Sequence, residues 1–153
     1  MDASGRPPGG KTLLEVAVGI EAGILGGLLM IGCVILLSPL IGEPWWLTLN
    51  LIASTLYGDS QRHGPGLPTI AGAAMHLVIC GAIGALNGLV SPGGRLFGLA
   101  LTAGWYLFCY LFLWKRFAPM LLAHGSQPIL IAGYFLFGST LGQQSNLLAR
   151  ARS

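Results

Sequence analysis

Between Leu13 and Ile41 the chain reads LLEVAVGIEAGILGGLLMIGCVILLSPLI, and only Glu15 and Glu21 carry charge there. As a helix this stretch exceeds the about 20 residues needed to cross a hydrocarbon core of roughly 30 Å. It is also too long for the apolar region of a signal peptide, and the lead before it, with Asp2 and several Gly and Pro, is not a signal-peptide lead. Further apolar stretches follow at 67–90, 96–114 and 128–148. Together they predict an all-α integral membrane protein, a bundle of four transmembrane helices.

Composition agrees. Of 153 residues, 54% are hydrophobic and 8% charged, and the mean hydropathy is +0.72. A soluble domain carries about 25% charged residues, enough to cover its surface. The spans are read at 16–40, 67–90, 96–115 and 128–148, in one transmembrane domain over 13–148. A polar lead of residues 1–12 precedes it and a basic tail, 149–153, follows. Residues 45–57 are too short to cross. Trp45, Leu49, Ile52 and Leu56 recur at helical spacing, with Thr48 and Thr55 on another side, which predicts an amphipathic helix lying in the membrane interface; a re-entrant half-helix is the alternative.

Four crossings put both termini on one side. Arg6, Lys11, Arg95, Arg150 and Arg152 share that side, while Arg62, Lys115 and Arg116 lie opposite. The excess of positive charge places both termini in the cytoplasm of a bacterial inner membrane. Trp45, Trp46 and Trp114 fall on the outer side as interfacial anchors. The eight Lys and Arg sit at termini and loops, so the net charge of +3 is not a nucleic-acid footprint. Residues 5–12, GRPPGGKT, spell a phosphate-binding loop but lack the preceding strand and α/β sheet that the mechanism needs. Cys33, Cys80 and Cys109 have no Cys or His at ligand spacing and read as small apolar residues.

Small residues mark the faces expected to pack. Gly19, Gly23 and Gly27 recur every four residues. Gly72, Gly84 and Gly88 share a drifting stripe with His76 and Cys80, and the last span carries Gly138 and Gly142. Lipid tails are as apolar as Leu, so membrane helices associate through close van der Waals approach, which small residues permit. These faces hold either the bundle itself or a partner protein, and they are more numerous than one bundle needs.

Glu21 and His76 are the ionisable groups at membrane depth. Such groups are costly there and are functional by default. Glu21 lies near the cytoplasmic edge, about 160–200° around the helix from the Gly19/Gly27 face at 100° per residue. His76 lies roughly 13 Å in from the outer edge at 1.5 Å per residue. Tyr106, Cys109, Tyr134 and Ser139 are its expected neighbours. With Gly72 and Ala73 one turn before it, His76 could instead hold a haem or chlorophyll as sole axial ligand. No paired carboxylate, activated nucleophile or metal cluster is present, so no enzyme activity and no metal site are expected.

Several short motifs occur in a recognisable order. They are Gly42-Glu43-Pro44-Trp45-Trp46, Leu51-Ile52-Ala53 with Gly58, and His76-Leu77-Val78 with Gly81 and Gly84. Gly98-Leu99-Ala100-Leu101, Phe117-Ala118-Pro119 and Phe137-Gly138 with Gly142 follow. Over residues 15–145 the chain resembles a group of small four-span bacterial inner-membrane proteins of unassigned function. That resemblance implies fold and topology and no activity. The group carries a second His early in the last span, where this chain has Tyr134.

Three functions remain open from sequence. The first is a non-catalytic accessory or scaffold subunit of a larger, energy-transducing membrane complex, partnered by lipid and by other subunits or itself. The second is a small oligomeric transporter or channel. The third is a haem- or chlorophyll-carrying subunit; otherwise no cofactor is expected.

Overall fold

In the computed structural model, residues 8–58, 64–90 and 95–144 are described. The phosphate-loop spelling at residues 5–7, Arg62, the 91–94 connection and the basic tail lie outside them. All elements among the described residues are helical. They are α1 (Pro8–Leu37), a 3₁₀ turn (Ser38–Ile41), α2 (Leu47–Tyr57), α3 (Leu67–Val90) and α4 (Arg95–Phe108). A wide turn, Cys109–Leu113, carries α4 into α5 (Trp114–Phe117); α6 (Pro119–His124) and α7 (Gln127–Leu141) complete the chain.

Three stretches are long and apolar enough to cross a membrane: Leu13–Ile41, Leu67–Val90 and Leu96–Phe117, with mean hydropathies of 2.5, 1.9 and 1.8. The first helix begins earlier than expected, at Pro8 within the polar lead. Proline suits a first helical turn because its missing N–H would have no partner there. The last helix is shorter than the expected 128–148. Its 15 residues rise about 22 Å, and at Gly142 the ladder closes into a turn, with the Gly142 N–H on Gly138 O and the Gln143 N–H on Thr140 O.

The buried residues of α1 show why it packs as it does. Val18, Gly19, Ala22, Gly23, Gly26, Gly27, Met30 and Val34 are buried, and Ile20, Glu21, Ile24, Leu25, Leu28 and Leu29 are exposed. This is one helical stripe against protein and one wide, mostly apolar face left exposed. Along the stripe, a Cβ on Gly19 would strike the Gly84 carbonyl, and one on Gly23 the Cys80 carbonyl. A Cβ on Gly88 would strike the carbonyl of Glu15. Because the numbers run in opposite directions, α1 and α3 are antiparallel, with backbone against backbone. Gly26 faces Phe137 and Thr140, and Gly133 faces Met30, which lays α7 antiparallel to α1. Gly98 meets Gly138 and Gly142, and Gly138 meets Thr102, which lays α4 antiparallel to α7.

The packing order is therefore α3, α1, α7, α4, an open chain of contacts in an up-down-up-down bundle. No comparable packing joins α3 to α4 among the described residues. Helices α2 and α6 lie together at the end opposite Pro8. All eight glycines singled out in the sequence lie at these contacts. Gly72 is the exception in partner only, since it receives the Leu49 carbonyl of α2.

Helix α2 does not present the face that its sequence predicts. Thr48, Leu49, Asn50, Leu51 and Ala53 are buried, while Leu56 is 67% exposed. The helix is pressed onto α3 at Gly72, so part of its polar side faces protein. That polarity is satisfied there. Thr69 Oγ1 donates to Asn50 Oδ1 at 2.7 Å, Asn50 Nδ2 donates to Gly64 O at 2.8 Å, and the Gly66 N–H donates to Thr69 Oγ1 at 3.1 Å.

Trp114 is also misplaced by a sequence reading. Trp45 is exposed, but Trp114 is buried with Met30, Leu51, Cys109, Ala118, Leu121 and Leu130. The cause is the wide turn before it. The Trp114 N–H reaches back five residues to the Cys109 carbonyl, where an α-helix would reach four. The extra residue turns Trp114 inward onto the face of Cys109. Ala118 then leaves the helical region (φ −139°, ψ 53°) before Pro119, as the residue ahead of a proline does, and α6 folds back over the indole.

Candidate functional site

The gap between α3 and α4 encloses a cavity of about 360 Å³. Met75, His76, Ile79 and Ile83 of α3 form one wall, and Trp105, Cys109, Leu113 and Trp114 the other. Met30 of α1 and Tyr134 and Phe137 of α7 form the floor. Ile52, Thr55 and Leu56 of α2, with Leu121 of α6, close the end. Leu56, Ile79 and Phe117 on its rim are exposed, so the cavity opens sideways, between the helices.

One polar neighbour of His76 is on its own helix and another is on α1. Its Nε2 lies 3.4 Å from Cys80 Sγ, one turn on, and the ring meets the backbone of Gly27. The neighbours expected from sequence divide. Tyr134 and Cys109 are neighbours, and both line the cavity with His76. Tyr106 donates instead to Gln127 Oε1 at 2.9 Å, with its ring edge-on to Tyr134. Ser139 donates to Phe135 O within its own helix. Thr55 likewise donates to Ile52 O at 2.8 Å. Of the wall residues, Thr55 and His76 thus have partners within the protein, while Tyr106 and Ser139 lie outside the cavity lining.

This arrangement bears on ligation. An axial ligand needs a free imidazole nitrogen, and the Nε2 of His76 is directed at Cys80. No group of three or more His, Cys, Asp or Glu placed to hold a metal occurs among the described residues. Glu21 is exposed on α1 and does not line the cavity.

A second polar cluster lies at the opposite end. Asn87 of α3 and Gln144, just past α7, are 2% and 1% exposed. The Asn87 amide donates to the Gln144 side-chain oxygen, and Gln144 Nε2 donates to the Glu15 carbonyl of α1 at 3.2 Å. One amide pair thus ties three helices. The signal that would have paired the two amides is that Asn87 falls on the same face of α3 as Gly84 and Gly88. We expect Asn87→Ala and Gln144→Ala to be coupled by about 1 kcal/mol, the scale of interhelical hydrogen bonds in membranes, in a double-mutant cycle of unfolding in mixed micelles. Strict additivity would mean that the amides act independently.

Comparison with protein-family models, with curated proteins and with solved structures finds no match. What the site can do follows from its geometry.

Proposed function

We propose that this chain is a non-catalytic, multi-pass accessory protein of a bacterial inner membrane, and that the α3/α4 cleft holds one apolar chain of a lipid-soluble ligand. In this reading α7 is the fourth crossing, both termini are cytoplasmic, and α2 and α6 form the outer cap. The observation that carries it is the state of the cavity wall. His76, Cys80 and Thr55 have partners within the protein, and most of the remaining wall is hydrocarbon or aromatic side chain, so an occupant meets a largely apolar surface. Burying a ligand's polar head there without a partner would be costly; a hydrocarbon chain carries no such cost.

The test uses the four tryptophans. Replacing Trp45 and Trp46 by Phe leaves Trp105 and Trp114, both lining the cleft. In unbrominated micelles, a lipid with brominated chains is expected to quench their emission and to saturate near one lipid per protein. Weak quenching that rises without saturation would remove the reading.

A second reading, docking of a partner's helix, is favoured by one feature. Ile20, Ile24, Leu77, Val78, Gly81, Ala82 and Ala85 line a shallow groove on the outer side of α1 and α3, and Gly81 and Ala85 stand at small-residue spacing within it. The transporter and haem readings find less support. Thr102, Ser139 and Thr140 are bonded to their own helices, and the Nε2 of His76 is directed at a thiol.

A further inference from the structure

We infer that the exposed face of α1 seats a transmembrane helix of another protein, and that this helix carries an arginine or lysine at the depth of Glu21. This rests on the reading of the groove between α1 and α3 as a helix-docking face and adds the chemistry of the partner. The position of Glu21 supplies the first argument. It is exposed on a face of α1 otherwise made of hydrocarbon, with Ile20, Ile24, Leu25 and Leu28 exposed around it. Gly84 lies against Gly19 and Gly23, so Glu21, between them in sequence, is level with Gly84. It stands eight positions inside the apolar stretch that begins at Leu13, and Gly84 six positions before the end of α3. At 1.5 Å per residue these are depths of about 12 and 9 Å. Lys and Arg escape such depths on long stems; the stem of glutamate is shorter. A carboxylate within a bilayer is costly unless paired, and intramembrane acids ordinarily face another helix or a water-filled cavity. Within this chain Glu21 faces neither. No hydrogen bond or ion pair holds it among the described residues, and it does not line the cleft.

The groove supplies the second. Ile20 and Ile24 form one wall of it, and Gly81, Ala82 and Ala85 of α3 lie along it. Glu21 follows the first isoleucine and precedes the second, about 60° around α1 from Ile24 at 100° per residue. It therefore stands on the rim beside the groove and not in its floor. Small residues let a second backbone approach closely, and a helix seated on them passes with one flank against Glu21. Charges that flank an apolar seam are what set partner choice between paired helices.

Charge supplies the third, and it selects a different protein over a second copy. Pairing this face with itself about a two-fold axis sets the same patch against itself. Glu21 would then approach Glu21, and like charges brought together at an interface repel. The exposed cations Lys115 and Arg116 follow Trp114, which packs with Met30, Leu51 and Leu121 at the other end of the bundle. The partner therefore brings its own cation to the level of Glu21. A guanidinium meets a carboxylate through two parallel bonds, and an ammonium meets it as a point charge.

The experiment titrates the full chain, in bicelles, with two synthetic transmembrane peptides of Leu and Ala, each about 22 residues long to cross the bilayer. One carries Arg and the other Gln six residues from one end, which matches the place of Gly84 on α3. Binding is read as energy transfer from the tryptophans of the chain to a dansyl group on the peptide. Polar contacts between membrane helices in model peptides correspond to about ten-fold in affinity, so the Arg peptide is expected to bind the natural chain about ten-fold more tightly. Glu21→Gln should bring the two peptides to equal affinity, and Ala82→Leu, which fills the groove, should abolish binding of both. Glu21 and Ala82 are exposed, so both variants are expected to unfold at the same midpoint as the natural chain. Equal binding of the two peptides by the natural chain would overturn the charge assignment and leave the groove as a docking face. Binding of neither would overturn both. A preference for Arg that survives Glu21→Gln would place the pairing elsewhere and overturn the assignment, and binding unchanged by Ala82→Leu would overturn the seat. Self-association of the natural chain without peptide, lost in Ala82→Leu, would make a second copy the occupant and overturn the choice of partner.

Discussion

Gly84→Leu is expected to separate α1 from α3 and to destroy the bundle. At this crossing the two helices meet through backbone atoms. A Cβ on Gly84 would strike the Gly19 carbonyl oxygen and come within 2.9 Å of both Gly19 C and Gly23 Cα. The approach is reciprocal, since a Cβ on Gly19 would come within 3.2 Å of Gly88 Cα. In a side-chain core an added methylene costs about 1–3 kcal/mol, because neighbouring rotamers yield. Here no rotamer can yield; the helices must move apart, and every small-residue contact along the seam lengthens with them. Dispersion falls steeply over such gaps, and for helices within a bilayer water would not drive them back together. We expect Gly84→Ala to cost about 3 kcal/mol, the upper end of the overpacking range, and Gly84→Leu to leave no cooperative transition. The measurement is unfolding in mixed micelles by added anionic detergent, read by tryptophan emission. Gly104→Ala is the control. Nothing lies within 4 Å of a Cβ there, and replacing a mid-helix glycine by alanine favours the helix by up to about 1 kcal/mol. If Gly84→Leu unfolds within about 0.5 kcal/mol of the natural chain, the scale of ordinary surface substitutions, the seam does not hold the fold.

The long apolar runs and the glycine periodicity made the bundle legible, because both depend on helical repeat alone. Gly19, Gly23 and Gly27 had to lie on one face whatever they packed against. Their partner was not legible. The small-residue stripes on α1, α3 and α7 are mutually complementary, so a count of stripes could not distinguish internal packing from a waiting partner. The misread positions share a different cause. Trp114 reads as an interfacial anchor because it ends an apolar span on the same side as Trp45 and Trp46, and the five-residue turn at Cys109 carries it into the interior. The faces of α2 were assigned as if one side met lipid and the other water, and pressure from α3 at Gly72 buries Thr48 and Asn50 together with Leu49 and Leu51. For His76 the sequence points to hydroxyls on other helices, whereas the contact found is the Cys80 thiol four residues along its own helix. The cleft could not be read at all, since it exists only because α3 and α4 each pack on a different neighbour.

That arrangement makes Phe137 the residue on which the cleft floor depends, and Phe137→Ala is the second large effect we expect. Its side chain is 1% exposed and packs among Ala22, Cys80, Ile83 and Leu141, with Leu101 and Trp105 alongside. It also lies over Gly26 and forms part of the cavity floor. In water-soluble cores such truncations cost about 3–5 kcal/mol, part of it transfer of the ring and part the void left behind. In a bilayer the unfolded reference keeps its side chains in hydrocarbon, so the transfer part shrinks and the packing part remains. We therefore expect a loss of about 2 kcal/mol, smaller than a soluble protein would show. The new void joins the existing cavity instead of closing on itself. An apolar void of this kind takes small hydrocarbons, so benzene should recover part of the lost stability in Phe137→Ala while leaving the natural chain unchanged. Unfolding midpoints with and without benzene measure both quantities. Recovery to the same extent in Leu141→Ala, a fully buried neighbour that does not line the cavity, would show that benzene acts on the micelle and not at the floor of the cleft.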